Sequence, residues 1–170
     1  MSTFAVQFAA LGGARVIATS GSAAKLKRLG SAGANELINY RSTPEWGATV
    51  AELTGGGADH VVEVAGAGTF AQSMIAARVG GHISVVGVLT RGSGIDPLSV
   101  IGKQLTLRGI TNASRESFEN MNRAIEGHRL RPVIDKRFAF DDVAAAFTHL
   151  ESGTHVGKVV LQADWAAALG

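Results

Sequence analysis

The chain has 170 residues, of which 46% are hydrophobic and 18% are charged. These proportions exclude an intrinsically disordered chain and fit one domain with a buried core. The formal net charge is +2, and no run of like charges exceeds two residues. We therefore expect no nucleic-acid partner. No stretch approaches the ~18 apolar residues of a membrane span, and the first residues carry no basic segment of a signal peptide.

Cysteine is absent, which excludes disulfides, zinc–thiolate sites and cysteine nucleophiles. This composition is compatible with a reducing compartment, and we expect a cytoplasmic protein. The five histidines lack metal-ligand spacing, and the sequence contains no serine elbow or phosphate-binding loop motif. We therefore predict neither a metal site nor a catalytic residue in this chain.

Glycine is over-represented, with 22 residues that lie between short apolar runs. Apolar spacing and capping residues predict seven helices, at residues 2–11, 22–29, 43–53, 69–79, a short one from 96, 114–126 and 141–151. Runs rich in β-branched residues predict seven strands, at residues 15–20, 36–40, 60–65, 82–88, 105–110, 133–138 and 158–161. Residues 164–170 form a tail that we expect to fray.

Helices and strands alternate throughout, and most strands are apolar on both faces. This order predicts an α/β fold with a doubly wound, mostly parallel sheet. In such sheets ligands bind at the carboxyl ends of the strands, where helix N-termini point at them. The residues that follow each strand are therefore the candidates for a binding site.

Ser20 ends the first strand, and Lys25 follows in the next helix. No acidic residue stands here to hold ribose hydroxyls, so a hydroxyl beside an ammonium suits a 2′-phosphate. The alternative is that Ser22 only caps the helix and Lys25 is solvated, which is the commoner case for such residues taken alone. Tyr40, at the end of the second strand, stacks on an adenine or merely covers the core.

Small residues follow two further strands. Val64, Ala65 and Gly66 would let the flat face of a ligand approach the backbone, whereas the ordinary interpretation is a tight turn from strand to helix. Val86, Gly87 and Val88 carry the same two interpretations. In the first, their backbone groups pair with a nicotinamide carboxamide.

Several segments together resemble the medium-chain dehydrogenase/reductase superfamily, which includes zinc-type alcohol dehydrogenases and quinone oxidoreductases. The segments that carry the resemblance are residues 14–20 with Lys25, 33–40, 57–66, 80–88, 131–135 with Phe138, 144–147 with Leu150, and 157–160. Each motif is loose, but their order and spacing are specific.

The resemblance implies a Rossmann-like, NAD(P)-binding domain over residues 1–163. It implies NADP as cofactor, with NAD as the alternative, and no metal in this chain. The residues that it places along the cofactor are Ser20, Lys25, Tyr40, Val64, Ala65, Gly66, Val86, Gly87, Val88 and Lys158. It also implies a homodimer that pairs through the strand from Lys103 to Ile110.

Two parts of the family pattern are missing from this sequence, namely the first strand with its glycine fingerprint and the catalytic N-terminal domain. The missing strand would lie at the centre of the sheet, so we expect another chain, a rearranged helix or sheet closure to take its place. We expect weak cofactor binding and no turnover by this chain alone. The resemblance implies hydride transfer of the alcohol dehydrogenase or quinone reductase type, and the alternative is a non-catalytic dimerisation or nucleotide-sensing module.

Overall fold

The computed structural model describes residues 1–92 and 95–163, so the predicted tail at 164–170 lies outside the described residues. The helices are α1 (Ser2–Leu11), α2 (Ala23–Ser31), α3 (Trp46–Thr54), α4 (Ala67–Ala76), α5 (Pro97–Gly102), α6 (Arg115–Gly127) and α7 (Val143–Glu151). The strands are β1 (Ile17–Ser20), β2 (Glu36–Asn39), β3 (Ala58–Glu63), β4 (Ala77–Val85), β5 (Thr106–Gly109), β6 (Ile134–Ala139) and β7 (Lys158–Gln162). A short 3₁₀ turn, Phe140–Asp142, precedes α7.

The strands pair in parallel in three separate sheets. These have the orders β1-β2, β3-β4-β5 and β6-β7. The predicted α/β class with parallel pairing is confirmed. Within the described residues β1 hydrogen-bonds only to β2, and β3 only to β4, so each has one open edge. Val62 on β3 is 45% exposed, which is unusual for a parallel strand because such strands are normally covered on both faces.

Three buried clusters hold the helices against the strands. The first joins α1, β1 and α2 through Val6, Val16, Ala18, Leu26 and Leu29. The second joins α4 to the three-stranded sheet through Phe70, Met74, Ala77, Ile83 and Leu105. The third lies around α3 and contains Ile38, Trp46, Val50 and Ala76, with Ile17 and Ala58 packed against it. The first residues of β1 and β3 therefore contact the same cluster.

Most element boundaries lie one to three residues from the sequence prediction, and two elements, α3 and β4, begin three or more residues from where it places them. The helix expected from Thr43 begins at Trp46, because a turn comes first, in which the N–H groups of Ser42 and Thr43 donate to the Asn39 carbonyl. Residues 77–81, predicted as helix and turn, belong to β4 instead. The register with β3 shifts here, so a bulge takes up Gly80 and Gly81 while the strand continues.

Lys103 stabilises the end of α4. Its ammonium donates to the carbonyl oxygens of Met74, Ile75 and Ala77, at 3.1, 2.6 and 2.8 Å. Desolvation by burial lowers the pKa of Lys103. Helix C-terminal carbonyls have no partners within their helix, so a cation is a favourable one. Lys103 thus joins α4 to the segment before β5.

Candidate functional site

A cavity of about 200 Å³ lies where the carboxyl end of β1 meets the first turn of α1. Its lining residues are Met1, Ser2, Thr3, Thr19, Ser20, Lys25, Leu29, His155, Val156 and Gly157. We call this cavity the pocket. The first bonds of α1 run from the N–H groups of Phe4 and Ala5 to the Met1 carbonyl. The amide groups of Ser2 and Thr3 therefore precede the bonded part of the helix, at its positive end.

The pocket brings together Ser20 and Lys25, as the sequence predicts. The Ser20 hydroxyl accepts a hydrogen bond from the Ser22 N–H at 3.3 Å. Ser22 in turn caps α2 by accepting from the Lys25 N–H. The Lys25 ammonium donates to the carbonyl of Gly153. An ammonium has three donors, so this bond leaves Lys25 able to bind a second acceptor.

Tyr40 stands beside the pocket and directly follows β2. Its ring and hydroxyl lie over Gly21, where an added Cβ would come within 2.8 Å of both. Tyr40 is 40% exposed, and it covers the turn between Ser20 and α2. That its ring stacks on an adenine stays a prediction.

The far wall of the pocket is held by Asp135 on β6. The Asp135 carboxylate accepts from the Val156 N–H at 3.0 Å and contacts His149 at 2.8 Å. It also forms an ion pair with Arg28 on α2. Burial acts to raise the pKa of Asp135, but the bonds from Val156, His149 and Arg28 outweigh it and lower the pKa well below its usual range. This carboxylate therefore ties the turn at 155–157 to α2.

A second group of predicted residues meets at the ends of β3 and β4. We call the two segments 64–68 and 86–90 together the clasp. The Thr90 N–H donates to the Ala65 carbonyl at 2.8 Å, and the Ala67 N–H donates to the Thr90 carbonyl at 3.2 Å. The Thr90 hydroxyl accepts from the Gly68 N–H and donates to the same Ala65 carbonyl. Gly87 approaches so closely that an added Cβ would lie 1.9 Å from the Val64 oxygen.

Glu63, the last residue of β3, lies beneath the clasp and is 3% exposed. One carboxylate oxygen accepts from the N–H groups of Ala65 and Gly66, at 2.8 and 3.0 Å, and from the Thr69 hydroxyl at 2.7 Å. The other oxygen accepts from the Ser73 hydroxyl. The sequence analysis missed Glu63. The available signal was a single carboxylate in an apolar strand, followed by Thr69 and Ser73 on one face of the next helix.

The predicted site residues thus fall into two groups. Ser20 and Lys25 line the pocket, with Tyr40 beside it, while Val64, Ala65 and Gly66 meet Val86, Gly87 and Val88 in the clasp. Lys158 follows the pocket residue Gly157, and its ammonium lies 5.4 Å from the centre of the Phe4 ring. That one crevice joins the two groups stays a prediction.

The described residues 1–92 and 95–163 contain no group of three or more His, Asp or Glu side chains that could hold a metal ion. In the same part of the chain, no helix has both the length and the apolar character needed to cross a bilayer. His149 and His155 are nearby, with ring centres 6.4 Å apart, but His149 is bound to Asp135.

Parallel strands that alternate with helices, with a pocket at a strand end and a helix N-terminus, define a Rossmann-like α/β domain. The particular family follows from sequence. The chain belongs to the zinc-binding dehydrogenase family, whose model matches residues 1–127. This membership confirms the resemblance to medium-chain dehydrogenases and places the chain, by family, among the oxidoreductases.

Two individual relatives agree with this family assignment. A zinc-type alcohol dehydrogenase-like protein of Schizosaccharomyces pombe is 40% identical, over 96% of this chain and 49% of its own length. The L-threonine 3-dehydrogenase of Deinococcus deserti is 34% identical, over 78% of this chain and 39% of its own length. The chain therefore spans about half the length of the curated relatives that it matches.

Solved structures share the fold. An NAD-dependent alcohol dehydrogenase superposes with a TM-score of 0.86 at 38% identity, over 95% of this chain and 47% of its own. A mycobacterial protein solved as a complex with NADPH superposes with a TM-score of 0.77 at 26% identity, over 94% of this chain and 52% of its own. The fold of this chain thus superposes on about half of each of these longer chains.

Proposed function

We propose that this chain binds a nicotinamide dinucleotide, with NADP preferred to NAD, as the nucleotide-binding part of a hydride-transferring oxidoreductase. The observation that carries the proposal is the pocket. It unites the N-terminal turn of α1, the Ser20 hydroxyl and the Lys25 ammonium. Hydroxyl, ammonium and free amide donors are the groups that bind phosphate.

The residues of the pocket fit the adenosine end of such a cofactor. Ser20 and Lys25 would bind the 2′-phosphate of NADP, and the exposed ring of Tyr40 would stack on the adenine. Lys158 would supply charge near the pyrophosphate. No carboxylate lines the pocket, which disfavours the ribose diol of NAD.

The clasp fits the other end of the cofactor. Its first turn carries only the small side chain of Ala65 beside Gly66, so a flat ring can approach the backbone there. The Glu63 carbonyl accepts from the N–H groups of Val86 and Gly87, so the remaining backbone groups from Val86 to Val88 would pair with the carboxamide. When bound, the cofactor supplies the hydride chemistry itself. The protein residues position the two ends and exclude water from the face of the ring.

The whole protein's reaction is the oxidation of an alcohol or the reduction of a carbonyl, enone or quinone. We expect no turnover by this chain alone, because its cofactor lies at the surface and a substrate pocket needs a second wall. The chain forms a homodimer through the open edge of β5, within the stretch from Lys103 to Ile110, since β5 pairs only with β4 among the described strands.

Titration of the chain with NADPH and NADH, followed by amide chemical shifts, tests the preference. We expect weak binding, with a dissociation constant above the micromolar range and tighter for NADPH. Ser20→Ala should reduce the difference between the two cofactors about tenfold or more, because a hydrogen bond to a charged group contributes roughly 1.5–3 kcal/mol. Equal affinity of the unaltered chain for both cofactors would contradict the role of Ser20 and Lys25.

A non-catalytic dimerisation or nucleotide-sensing module remains the second function. The open edge of β5 favours it, because an edge strand can pair with its copy without any cofactor. Sedimentation equilibrium with and without NADPH distinguishes the two forms of this second function. A dimer whose affinity changes with NADPH indicates sensing, whereas a dimer indifferent to NADPH indicates a simple structural contact.

A further inference from the structure

We propose that Glu63 is a positioning residue for the nicotinamide half of the cofactor. Its buried carboxylate fixes the turn at Ala65 and Gly66 so that a flat ring can lie on it. The inference rests on the proposed function, since it assigns a supporting residue to that same site.

The burial of Glu63 requires an explanation. A carboxylate that loses its water is costly unless hydrogen bonds replace the hydration. Glu63 is 3% exposed and has no cation among its partners, but four donors converge on its two oxygens. Two donors are backbone N–H groups of the turn, and the other two are hydroxyls of α4. The side chain therefore joins the end of β3, the turn and the helix that follows.

The hydrogen bonds determine what the turn can offer a ligand. The Glu63 carboxylate accepts hydrogen bonds from the N–H groups of Ala65 and Gly66. The N–H and the hydroxyl of Thr90 both donate to the Ala65 carbonyl. These backbone groups are consequently unavailable to a ligand. What the turn presents instead is the half-buried side chain of Ala65 beside the buried Gly66, held at a fixed position against segment 86–90. Such a surface suits the face of a ring and not its polar edge.

Gly66 explains why the position of the turn needs support. Its φ is +92°, a region that glycine enters freely and leaves freely, so the conformation is not fixed by the backbone alone. No side chain of the turn itself caps α4. Thr90 supplies the missing acceptors, since its carbonyl accepts from the Ala67 N–H and its hydroxyl accepts from the Gly68 N–H. The Glu63 carboxylate holds the N–H groups of Ala65 and Gly66, just before the helix.

The test compares two ligands on the full chain. NADPH would contact both the pocket and the clasp, whereas adenosine 2′,5′-bisphosphate would contact the pocket alone. We expect Glu63→Ala to weaken NADPH binding about tenfold and to leave binding of the bisphosphate unchanged within about twofold. Glu63→Gln should restore part of the loss, because its amide oxygen can still accept from the turn. Glu119→Gln, on the exposed face of α6, is the matched control and should change neither affinity.

Thr90→Val keeps the test decisive if Glu63→Ala fails to fold. Thr90 is exposed, and the substitution removes only the hydroxyl bonds to Gly68 and Ala65. This variant should also weaken the binding of NADPH and leave the binding of adenosine 2′,5′-bisphosphate unchanged. A uniform loss for both ligands, or no loss for either, would show that Glu63 and Thr90 serve folding only. Failure of the unaltered chain to bind either ligand would instead overturn the proposed function.

Discussion

The pocket and the clasp, the two halves of the candidate site, are built in different ways. The pocket draws its walls from distant parts of the chain, and charged side chains hold them together, chiefly Asp135 with Arg28. The clasp joins the ends of two neighbouring strands through backbone hydrogen bonds and the Thr90 hydroxyl, and one buried carboxylate holds the first of its two segments. The pocket should therefore respond to pH and to loss of charge. The clasp should respond to any added bulk in its backbone.

The largest effect that we expect comes from Gly157→Ala, in the wall of the pocket. Gly157 has a φ of +103°, and an added Cβ would lie 2.1 Å from the Val133 carbonyl oxygen. Left-handed backbone costs an alanine roughly 1–2 kcal/mol and overpacking adds roughly 1–3 kcal/mol, so we expect a loss of about 3 kcal/mol in the free energy of unfolding.

Urea denaturation measures this loss. The matched control is Gly127→Ala at the end of α6, where a new Cβ meets nothing within 4 Å. That variant should be as stable as the original chain or slightly more so. Equal stability of the two variants would show that Val133 yields to the added methyl and that the wall is not rigid.

The next effect is expected in the clasp. Gly87→Ala would place a Cβ 1.9 Å from the Val64 oxygen. The two segments must separate, at a cost of about 1–3 kcal/mol in the free energy of unfolding. Binding of NADPH should weaken while binding of adenosine 2′,5′-bisphosphate persists. A stable variant with unaltered NADPH binding would show that the clasp does not contribute to binding of the cofactor.

The third effect is a dependence of the stability of the fold on pH, which arises from a carboxylate beside the pocket. The pKa of Asp135 is lowered in the folded chain, so this carboxylate stabilises the fold above its unfolded pKa of about 3.9 and loses that contribution as the pH falls. Asp135→Asn should lower stability at neutral pH and flatten its decline in acid.

Thermal melts between pH 7 and pH 3 measure this slope. The matched control is Asp59→Asn, which removes an exposed carboxylate paired with Arg78 on the surface. Exposed pairs contribute little, so this variant should keep the acid slope of the unaltered chain. An unchanged slope in Asp135→Asn would mean that other carboxylates govern unfolding in acid.

Sequence patterns were sufficient for the framework of this fold. Alternating apolar runs and glycines predicted, in order, the fourteen α-helices and strands of the described residues, because each apolar period corresponds to one buried face. Boundaries were missed where tertiary contacts overrode local preference. The bulge opposite Ala58 let β4 continue through Gly80 and Gly81, although two glycines in sequence indicate a turn.

The candidate site was only partly predictable. Ser20 and Lys25 could be predicted as candidates because they follow a strand in the sequence, and ligands bind at the carboxyl ends of parallel strands. His155 and Gly157, which also line the pocket, come from a distant turn that Asp135 fixes in space. Glu63 bonds to its own segment and to α4, and the hydroxyls of Thr69 and Ser73 were its signal in the sequence. Thr90 bonds across the clasp to Ala65 and Gly68, and no spacing in the sequence encodes such bonds, since they depend on how two strand ends meet.

The most direct test of the account is an amide chemical-shift map of the chain titrated with NADPH. If one crevice joins the two halves of the site, NADPH should shift the amides of Ser20, Ala65 and Val88 together with a single dissociation constant. Adenosine 2′,5′-bisphosphate should shift Ser20 alone. Shifts at Ser20 without any at Ala65 or Val88 under saturating NADPH would contradict the account.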